Sequence, residues 1–248
     1  RGARRSSRRP KSVSGTLYLL PCPIAAGSLH ASLPAEVIAT ARRLEHFLVE
    51  DAKTARAFLK ELGHPKPIRD LAIDEIGHAP PAERIDAWLT PVVAGRDAAI
   101  VSEAGCPAIA DPGGTIVAAA LARGIRVRPL VGPSSILLAL MAAGLDGQRF
   151  RFHGYLPVPA EERTASLKAL ERESRARRET QVFIETPYRS AALFDAVLAS
   201  CAPATRIAVA VDLTGTAEFV GMRTAQQWKA AARPPLQRQP AVFCLLAA

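Results

Sequence analysis

Three loops rich in glycine and proline, each directly after a short apolar run, carry the strongest chemical signal in this sequence. They are residues 21–24 (PCPI), 102–114 (SEAGCPAIADPGG) and 131–135 (VGPSS). The apolar runs predict buried strands, and ligands bind outside the carboxyl ends of strands in an open α/β sheet. Small residues there let a ligand approach the backbone closely. A tight turn with a helix cap explains any one of these loops, but three on one edge predict a binding site.

Five carboxylates near the predicted strand ends could act as a general base, which would assist attack by a weakly acidic hydroxyl group. They are Glu103, Asp111, Glu185, Asp212 and Glu218. We take Glu185 and Asp212 as catalytic candidates, and Glu218 and Arg189 as candidates for binding the substrate. Glu103 follows a predicted strand in the second of the three loops, so we assign it to ligand binding there. Two alternatives stay open: each carboxylate could organise its own loop, and Arg189 could form an ordinary surface ion pair.

The sequence lacks the motifs of several large enzyme classes. There is no GxGxxG, no GxxxxGK[ST], no HExxH and no GxSxG. These absences remove the main sequence support for nicotinamide dehydrogenases and P-loop enzymes. The four cysteines lie far apart with no CxxC pair, and the five histidines are scattered. We therefore expect reduced cysteines and no metal site.

The positive charge is concentrated at the N-terminus. Residues 1–11 carry six arginines and lysines and no acid, whereas the other 237 residues hold 26 basic and 23 acidic side chains. Residues 1–13 are predicted to be a disordered basic tail, which favours a polyanionic partner. The tail and residues 13–20 imitate a signal peptide, but Pro21 and Pro23 interrupt the apolar run. We expect a cytoplasmic protein without a membrane span, because no apolar stretch reaches eighteen residues.

Short β-rich runs alternate with helical stretches along the chain. The first half predicts strands at 17–20, 48–49, 98–102 and 125–130, and helices at 34–47, 51–62, 80–94, 114–123 and 134–143. The second half predicts strands at 151–156, 182–185, 206–213, 219–220 and 241–246, and helices at 160–178, 190–200 and 224–231. The alternation favours a parallel, helix-covered sheet followed by a mixed sheet. With a boundary at the turn 144–147, we predict two α/β domains, 14–144 and 145–248, and a cleft between them.

Several segments, in the right order, resemble the tetrapyrrole methylase family. The family-wide resemblance lies in residues 15–24 (GTLYLLPCPI), 101–107 (VSEAGCP), 111–113 (DPG) and 130–134 (LVGPS). Residues 50–51 (ED), 152–157 (FHGYLP), 185–189 (ETPYR) and 212–214 (DLT) resemble the branch that 2′-O-methylates a cytidine in small-subunit ribosomal RNA.

The resemblance implies a homodimeric methyltransferase with S-adenosylmethionine as methyl donor and RNA as acceptor. It implies that residues of both halves bind the cofactor: Pro21, Pro23, Ser102, Glu103, Ala104, Gly105, Ile109, Leu130, Gly132, Ser134, Ser135, Tyr155 and Thr186. The sulfonium of this donor already activates the methyl group, so catalysis requires mainly alignment.

The sequence departs from the ribosomal branch on the acceptor side. Residues 25–30 read AAGSLH, residue 215 is glycine where a lysine is usual, and residues 238–240 read RQP. Two alternatives to an RNA ribose methyltransferase therefore stay open. One is a methyltransferase for a corrin- or porphyrin-type small molecule, and the other is a donor-binding protein that has lost catalysis.

Overall fold

A computed structural model describes residues 14–248, so the predicted tail 1–13 lies outside the described residues. The described chain forms ten strands, nine α-helices and one short 3-10 turn (Ile68–Asp70). In chain order the elements are β1 (Thr16–Leu20), α1 (Leu29–Ser32), α2 (Ala35–Ala41), β2 (His46–Val49), α3 (Ala52–Glu61), β3 (Ala72–Glu75), α4 (Ala82–Val93), β4 (Ala98–Val101), α5 (Gly114–Ala122), β5 (Arg126–Pro129), α6 (Ser135–Ala142), β6 (Phe150–Tyr155), α7 (Ala160–Arg177), β7 (Thr180–Glu185), α8 (Ser190–Ser200), β8 (Arg206–Val211), β9 (Phe219–Thr224), α9 (Ala225–Ala230) and β10 (Ala241–Leu246). No helix within 14–248 is long and apolar enough to cross a membrane.

The chain divides into two compact units. The described part of the first unit comprises residues 14–22 and 33–132, and the second unit comprises 23–32 and 133–248. This division differs from the sequence-based boundary after residue 144. The reason is α6, whose buried side chains Ile136 and Leu140 pack against Val182 and Val242 of the second sheet.

The first unit contains a five-stranded parallel sheet in the order β3-β2-β4-β1-β5. Its central strand β4 is apolar and buried along its whole length, as expected for a parallel sheet covered on both faces. Leu48 and Ile100 face α4 and α5, where they pack with Trp88. On the other face Phe47 makes an edge-to-face contact with His64, just after α3.

The segment between β1 and α3 shows where the sequence-based elements fail. The predicted helix 34–47 is wrong at its C-terminal end, because α2 stops at Ala41 and Phe47 lies in β2. Buried β2 makes ladder pairs with both β3 and β4, which stabilise the extended backbone. Asp51 then caps α3 as predicted, since its carboxylate accepts a hydrogen bond from the Thr54 amide at 2.7 Å.

The second unit contains a five-stranded mixed sheet in the order β6-β7-β10-β8-β9. Strands β6 and β7 are parallel, and β10 runs antiparallel to both β7 and β8. Strands β6, β7 and β8 therefore end at the same edge of this sheet. Helices α7, α8 and α9 cover one face, where Phe183 and Phe243 stack with ring centroids 5.5 Å apart, and α6 covers the other.

Candidate functional site

The three loops identified in the sequence meet at the carboxyl edge of the first sheet. They follow β1, β4 and β5, which are adjacent and parallel. The connections leaving β4 and β1 run in opposite directions along the sheet, which is the topology at which open α/β sheets bind ligands. Eight of the predicted cofactor residues lie at this edge and belong to the first unit: Pro21, Ser102, Glu103, Ala104, Gly105, Ile109, Leu130 and Gly132.

Close backbone contacts join the three loops. Cys22 and Gly105 exchange two backbone hydrogen bonds, with N–O distances of 2.9 and 3.1 Å. A Cβ atom added to Gly132 would lie 2.2 Å from Cγ of Pro21, so only glycine fits there. The close approach at Gly132 is therefore made by Pro21, and it fixes the third loop against the first.

The loop after β4 has an unusual backbone. Gly105 and Gly113 adopt positive φ, and so do two alanines, Ala108 (66°) and Ala110 (63°). Such conformations are strained for a residue with a Cβ and cluster at ligand-binding sites. Between these alanines, the side chain of Ile109 is 54% exposed.

Glu50 organises the same edge, although our site prediction did not include it. This buried carboxylate accepts a hydrogen bond from the Glu103 amide at 3.3 Å, and a second hydrogen bond joins it to Nδ1 of His78 at 2.8 Å. An acid directly after a buried strand was the available signal. The negative charge of Glu50 also acts on Asp111. Burial and this charge raise the pKa of Asp111 to about 6, although a hydrogen bond from Ser102 opposes the shift.

The corresponding edge of the second sheet carries most of the other predicted site residues. Tyr155 ends β6, Glu185 ends β7, and Asp212 follows β8. Thr186 and Arg189 lie in the loop after β7, and Glu218 lies in the loop after β8. The structure thus brings these six residues to one edge of one sheet.

Glu185 is a buried carboxylate that is held through one of its two oxygens. Its Oε1 accepts hydrogen bonds from the Thr186 amide (2.7 Å) and from Nε (3.0 Å) and Nη2 (2.7 Å) of Arg189. The guanidinium neutralises the carboxylate, and the pair fixes the start of the loop before α8. Arg189 therefore forms an ion pair with a buried carboxylate, and that it also binds the substrate stays a prediction.

The loop after β8 is held by two carboxylates. Asp212 and Thr214 adopt positive φ (48° and 67°). Oδ2 of Asp212 accepts a hydrogen bond from the Ala217 amide at 2.9 Å, and Glu218 accepts one from the Thr214 amide at 2.7 Å. A Cβ atom on Gly215 would lie 2.2 Å from Oδ1 of Asp212, so the aspartate side chain packs against Gly215 where no larger residue fits. Asp212 is half-buried, and its Oδ1 accepts no hydrogen bond from any residue in the described range.

The remaining predicted cofactor residues also belong to the second unit. Ser134 caps α6 by accepting a hydrogen bond from the Leu137 amide at 3.5 Å, and Ser135 is the first residue of that helix. Pro23 begins the segment 23–32, which a hydrogen bond of 3.5 Å between Thr214 Oγ1 and Ser28 Oγ links to the loop after β8. That these residues share one cleft with those of the first unit stays a prediction.

Comparison with known proteins identifies the family. The model of the tetrapyrrole (corrin/porphyrin) methylases matches residues 28–227. The chain therefore belongs to the tetrapyrrole methylase family, as the sequence motifs indicated.

Among curated relatives, the chain is similar to proteins named ribosomal RNA small subunit methyltransferase I. It is 37% identical over 180 residues to the protein from Xylella fastidiosa, a match covering 73% of this chain and 62% of that one. It is 36% identical over 185 residues to the protein from Streptococcus pyogenes, covering 74% and 60%. For the Escherichia coli O157:H7 protein the identity is 32% over 206 residues, covering 83% and 68%. The matches thus span about three fifths to two thirds of the length of these relatives.

Solved structures share the fold at lower identity. The methyltransferase CobJ aligns with a TM-score of 0.61 at 18% identity, covering 95% of this chain and all of that one. Uroporphyrin-III C-methyltransferase from Thermus thermophilus, complexed with S-adenosyl homocysteine, aligns with a TM-score of 0.52 at 18% identity, covering 94% and 97%. The predicted fold class, two α/β domains of the tetrapyrrole methylase fold, is confirmed.

Proposed function

We propose that this chain is an S-adenosylmethionine-dependent methyltransferase that acts on RNA of the small ribosomal subunit, at a ribose 2′-hydroxyl. The similarity to ribosomal RNA small subunit methyltransferase I over 180 residues or more carries this proposal. Such an acceptor implies action in the cytoplasm, and the family resemblance implies a homodimer.

The carboxyl edge of the first sheet offers what an adenosine-containing donor requires. Ile109 and Val131, which are 54% and 73% exposed, present apolar surface beside loop backbone, and an adenine ring would cover such surface. The carboxylates of Glu103 and Asp111 lie on the same loop and can accept hydrogen bonds from ribose hydroxyls or an ammonium group. S-adenosylmethionine supplies a methyl group already activated by its sulfonium.

Methylation of a ribose hydroxyl needs a base that takes the hydroxyl proton, and Asp212 suits that role better than Glu185. Glu185 is buried and paired with Arg189, whereas Asp212 is half-buried and forms no ion pair with any residue in the described range. We therefore assign proton removal from the ribose hydroxyl to Oδ1 of Asp212, with Glu218 holding the loop that carries it. Glu185 acts with Arg189 to fix the neighbouring loop, so the sequence-based assignment of Glu185 as a base is replaced in this proposal.

Calorimetric titration with S-adenosylhomocysteine tests the donor half of the proposal. We expect measurable heat and a raised Tm, because a ligand that binds only the folded state stabilises it by about 2.7 kcal/mol at a hundredfold excess over Kd. Absence of both heat and a Tm shift at millimolar ligand would contradict the assignment of the donor loops.

A further inference from the structure

The loop between β7 and α8 displays an aromatic ring. The side chain of Tyr188 is 89% exposed, the highest value among the large hydrophobic side chains described here. A single exposed apolar side chain needs no explanation in itself. The inference depends on what surrounds this one.

The backbone that carries Tyr188 is held firmly. The carbonyl of Thr186 accepts hydrogen bonds from the amides of Arg189 and Ser190, both at 3.1 Å. Glu185, at the start of the loop, holds the Thr186 amide and the Arg189 guanidinium. Tyr188 thus extends from a preorganised turn, and an aromatic anchor of this kind loses little conformational entropy when it binds a partner.

A segment that carries one exposed arginine is attached to this loop. The buried hydroxyl of Ser190 donates a hydrogen bond to the carbonyl of Leu236 at 2.9 Å, and Ala241 pairs with Glu185 across the β7–β10 ladder. Arg238, between these two attachment points, is exposed, and no carboxylate in the described part of the chain forms an ion pair with it. Since Arg189 and Glu185 neutralise each other, the exposed charge on the segment attached to this loop is that of Arg238.

An exposed aromatic ring beside an exposed cation fits single-stranded nucleic acid. An unpaired base stacks on an aromatic side chain, and an arginine binds the adjacent phosphate. The loop after β8, with Asp212, ends at the same sheet edge. Strands β7 and β8 flank β10, so their ends are roughly 10 Å apart at the usual strand spacing.

We propose that Tyr188 stacks on an unpaired base of the RNA acceptor and that Arg238 binds its phosphate backbone. This inference rests on the proposed function, which it deepens by naming residues that hold the acceptor and by specifying an unpaired strand. An acceptor held there by stacking must present its nucleotide outside a duplex.

Binding of a fluorescein-labelled, unpaired RNA oligonucleotide tests the inference independently of methyl transfer. Tyr188→Ala should raise Kd about 5- to 100-fold, and Tyr188→Phe should bind within about twofold of the unsubstituted chain because it keeps the ring. Arg238→Ala should lower the slope of log K against log salt by about 0.7, the contribution of one phosphate contact on a single strand. Two variants are the matched controls and should leave binding unchanged. They are Met141→Ala, at a residue 79% exposed on α6, and Arg177→Ala, at the end of α7.

Three results would overturn the inference: unchanged affinity in Tyr188→Ala, equal loss in Tyr188→Phe, or no binding of unpaired RNA by the unsubstituted chain. A fourth contradicting result would come from light scattering. A changed oligomeric mass in Tyr188→Ala would mean that Tyr188 contacts another subunit and not RNA. The proposed function fails separately, if the unsubstituted chain binds the oligonucleotide through Tyr188 yet transfers no methyl group to ribosomal subunits.

Discussion

Asp111 retains its proton to an unusually high pH in the folded chain. Burial and the charge of Glu50 raise its pKa to about 6, from an ordinary value of 3.8. A carboxyl group with a higher pKa in the folded state binds its proton more tightly there than in the unfolded state. Its ionisation therefore lowers the free energy of unfolding as pH rises from about 4 through 6, and the loss is complete above pH 6.

Substitution Asp111→Asn removes this ionisation. The amide oxygen can still accept the hydrogen bond from Ser102, so we expect the Tm of the variant to exceed that of the unsubstituted chain at pH 7.5, by about 2–4 °C for each kcal/mol gained. The difference should disappear near pH 4. Melting curves at several pH values, with Asp70→Asn at an exposed carboxyl as control, measure this. A Tm difference independent of pH would contradict the role of the Asp111 charge.

Asp212 is the residue whose catalytic role can be separated from its structural one. Asp212→Asn keeps an oxygen for the Ala217 amide but removes the base, so we expect kcat to fall about 10²- to 10⁴-fold with little change in Tm. Asp146→Asn, which also keeps an oxygen for the amide it binds (Gln148) and lies outside the site, is the matched control and should retain activity. Steady-state kinetics on RNA decides the matter, since full activity in Asp212→Asn would remove Asp212 from the reaction.

At the residue scale, the sequence located the carboxylates but not their partners. The position of Glu185 and Asp212 after apolar runs was visible, because strand ends are marked by the change from apolar to polar residues. The contacts of Asp212 with Ala217 and Gly215 depend on positive φ values that the types Asp and Thr do not signal. Glu50 was missed as a site residue because its link to Glu103 spans 53 positions.

At the scale of elements, agreement was best where strong signals bounded a segment. Helix α8 and strand β10 begin and end where the sequence predicted. The predicted helix 34–47 failed because the sequence has no glycine or proline breaker between α2 and β2, and a short buried strand cannot be distinguished from helix by periodicity alone. Strand β3 was missed, because it is a four-residue edge strand with two carboxylates.

Contact between loops gives a prediction at this scale. Gly132→Ala would place a Cβ 2.2 Å from Pro21, so the loops after β1 and β5 must separate. Overpacking of this kind costs about 1–3 kcal/mol, and we expect both a lower Tm and weaker binding of S-adenosylhomocysteine. Calorimetry and melting curves measure the two effects.

Gly114→Ala is the control for this substitution. A Cβ there would meet open space at the first residue of α5, so stability and donor affinity should be retained. Equal behaviour of the two variants would mean that contact between Gly132 and Pro21 does not shape the donor loops.

At the scale of the whole molecule, local sequence patterns predicted two sheets, one parallel and one mixed, but not which sheet each segment joins. Helix α6 looked like the last helix of the first domain because it follows β5 directly. Its packing on Val182 and Val242 assigns it to the second unit, together with residues 23–32. These contacts join positions more than forty residues apart, which periodicity does not report.

The charge distribution leads to a prediction about residues 1–11. Residues 1–11 carry six arginines and lysines, so their deletion should weaken RNA binding and lower the slope of log K against log salt by up to about 4, at 0.7 for each phosphate on a single strand. Anisotropy titrations between 50 and 200 mM salt, roughly the range in which such slopes are measured, compare the full and truncated chains. Identical slopes would contradict a role for the tail in RNA binding, and Arg177→Ala serves as a single-charge control.

Transfer of tritiated methyl from S-adenosylmethionine tests the central claim most directly. The acceptors are small ribosomal subunits from cells that lack this methylation and, in parallel, a tetrapyrrole precursor. We expect label in the ribosomal RNA, within a dinucleotide that survives alkaline hydrolysis because 2′-O-methylation removes the hydroxyl that cleaves the backbone. Label in the tetrapyrrole alone, or in neither acceptor, would contradict the assignment of this chain as an RNA ribose methyltransferase.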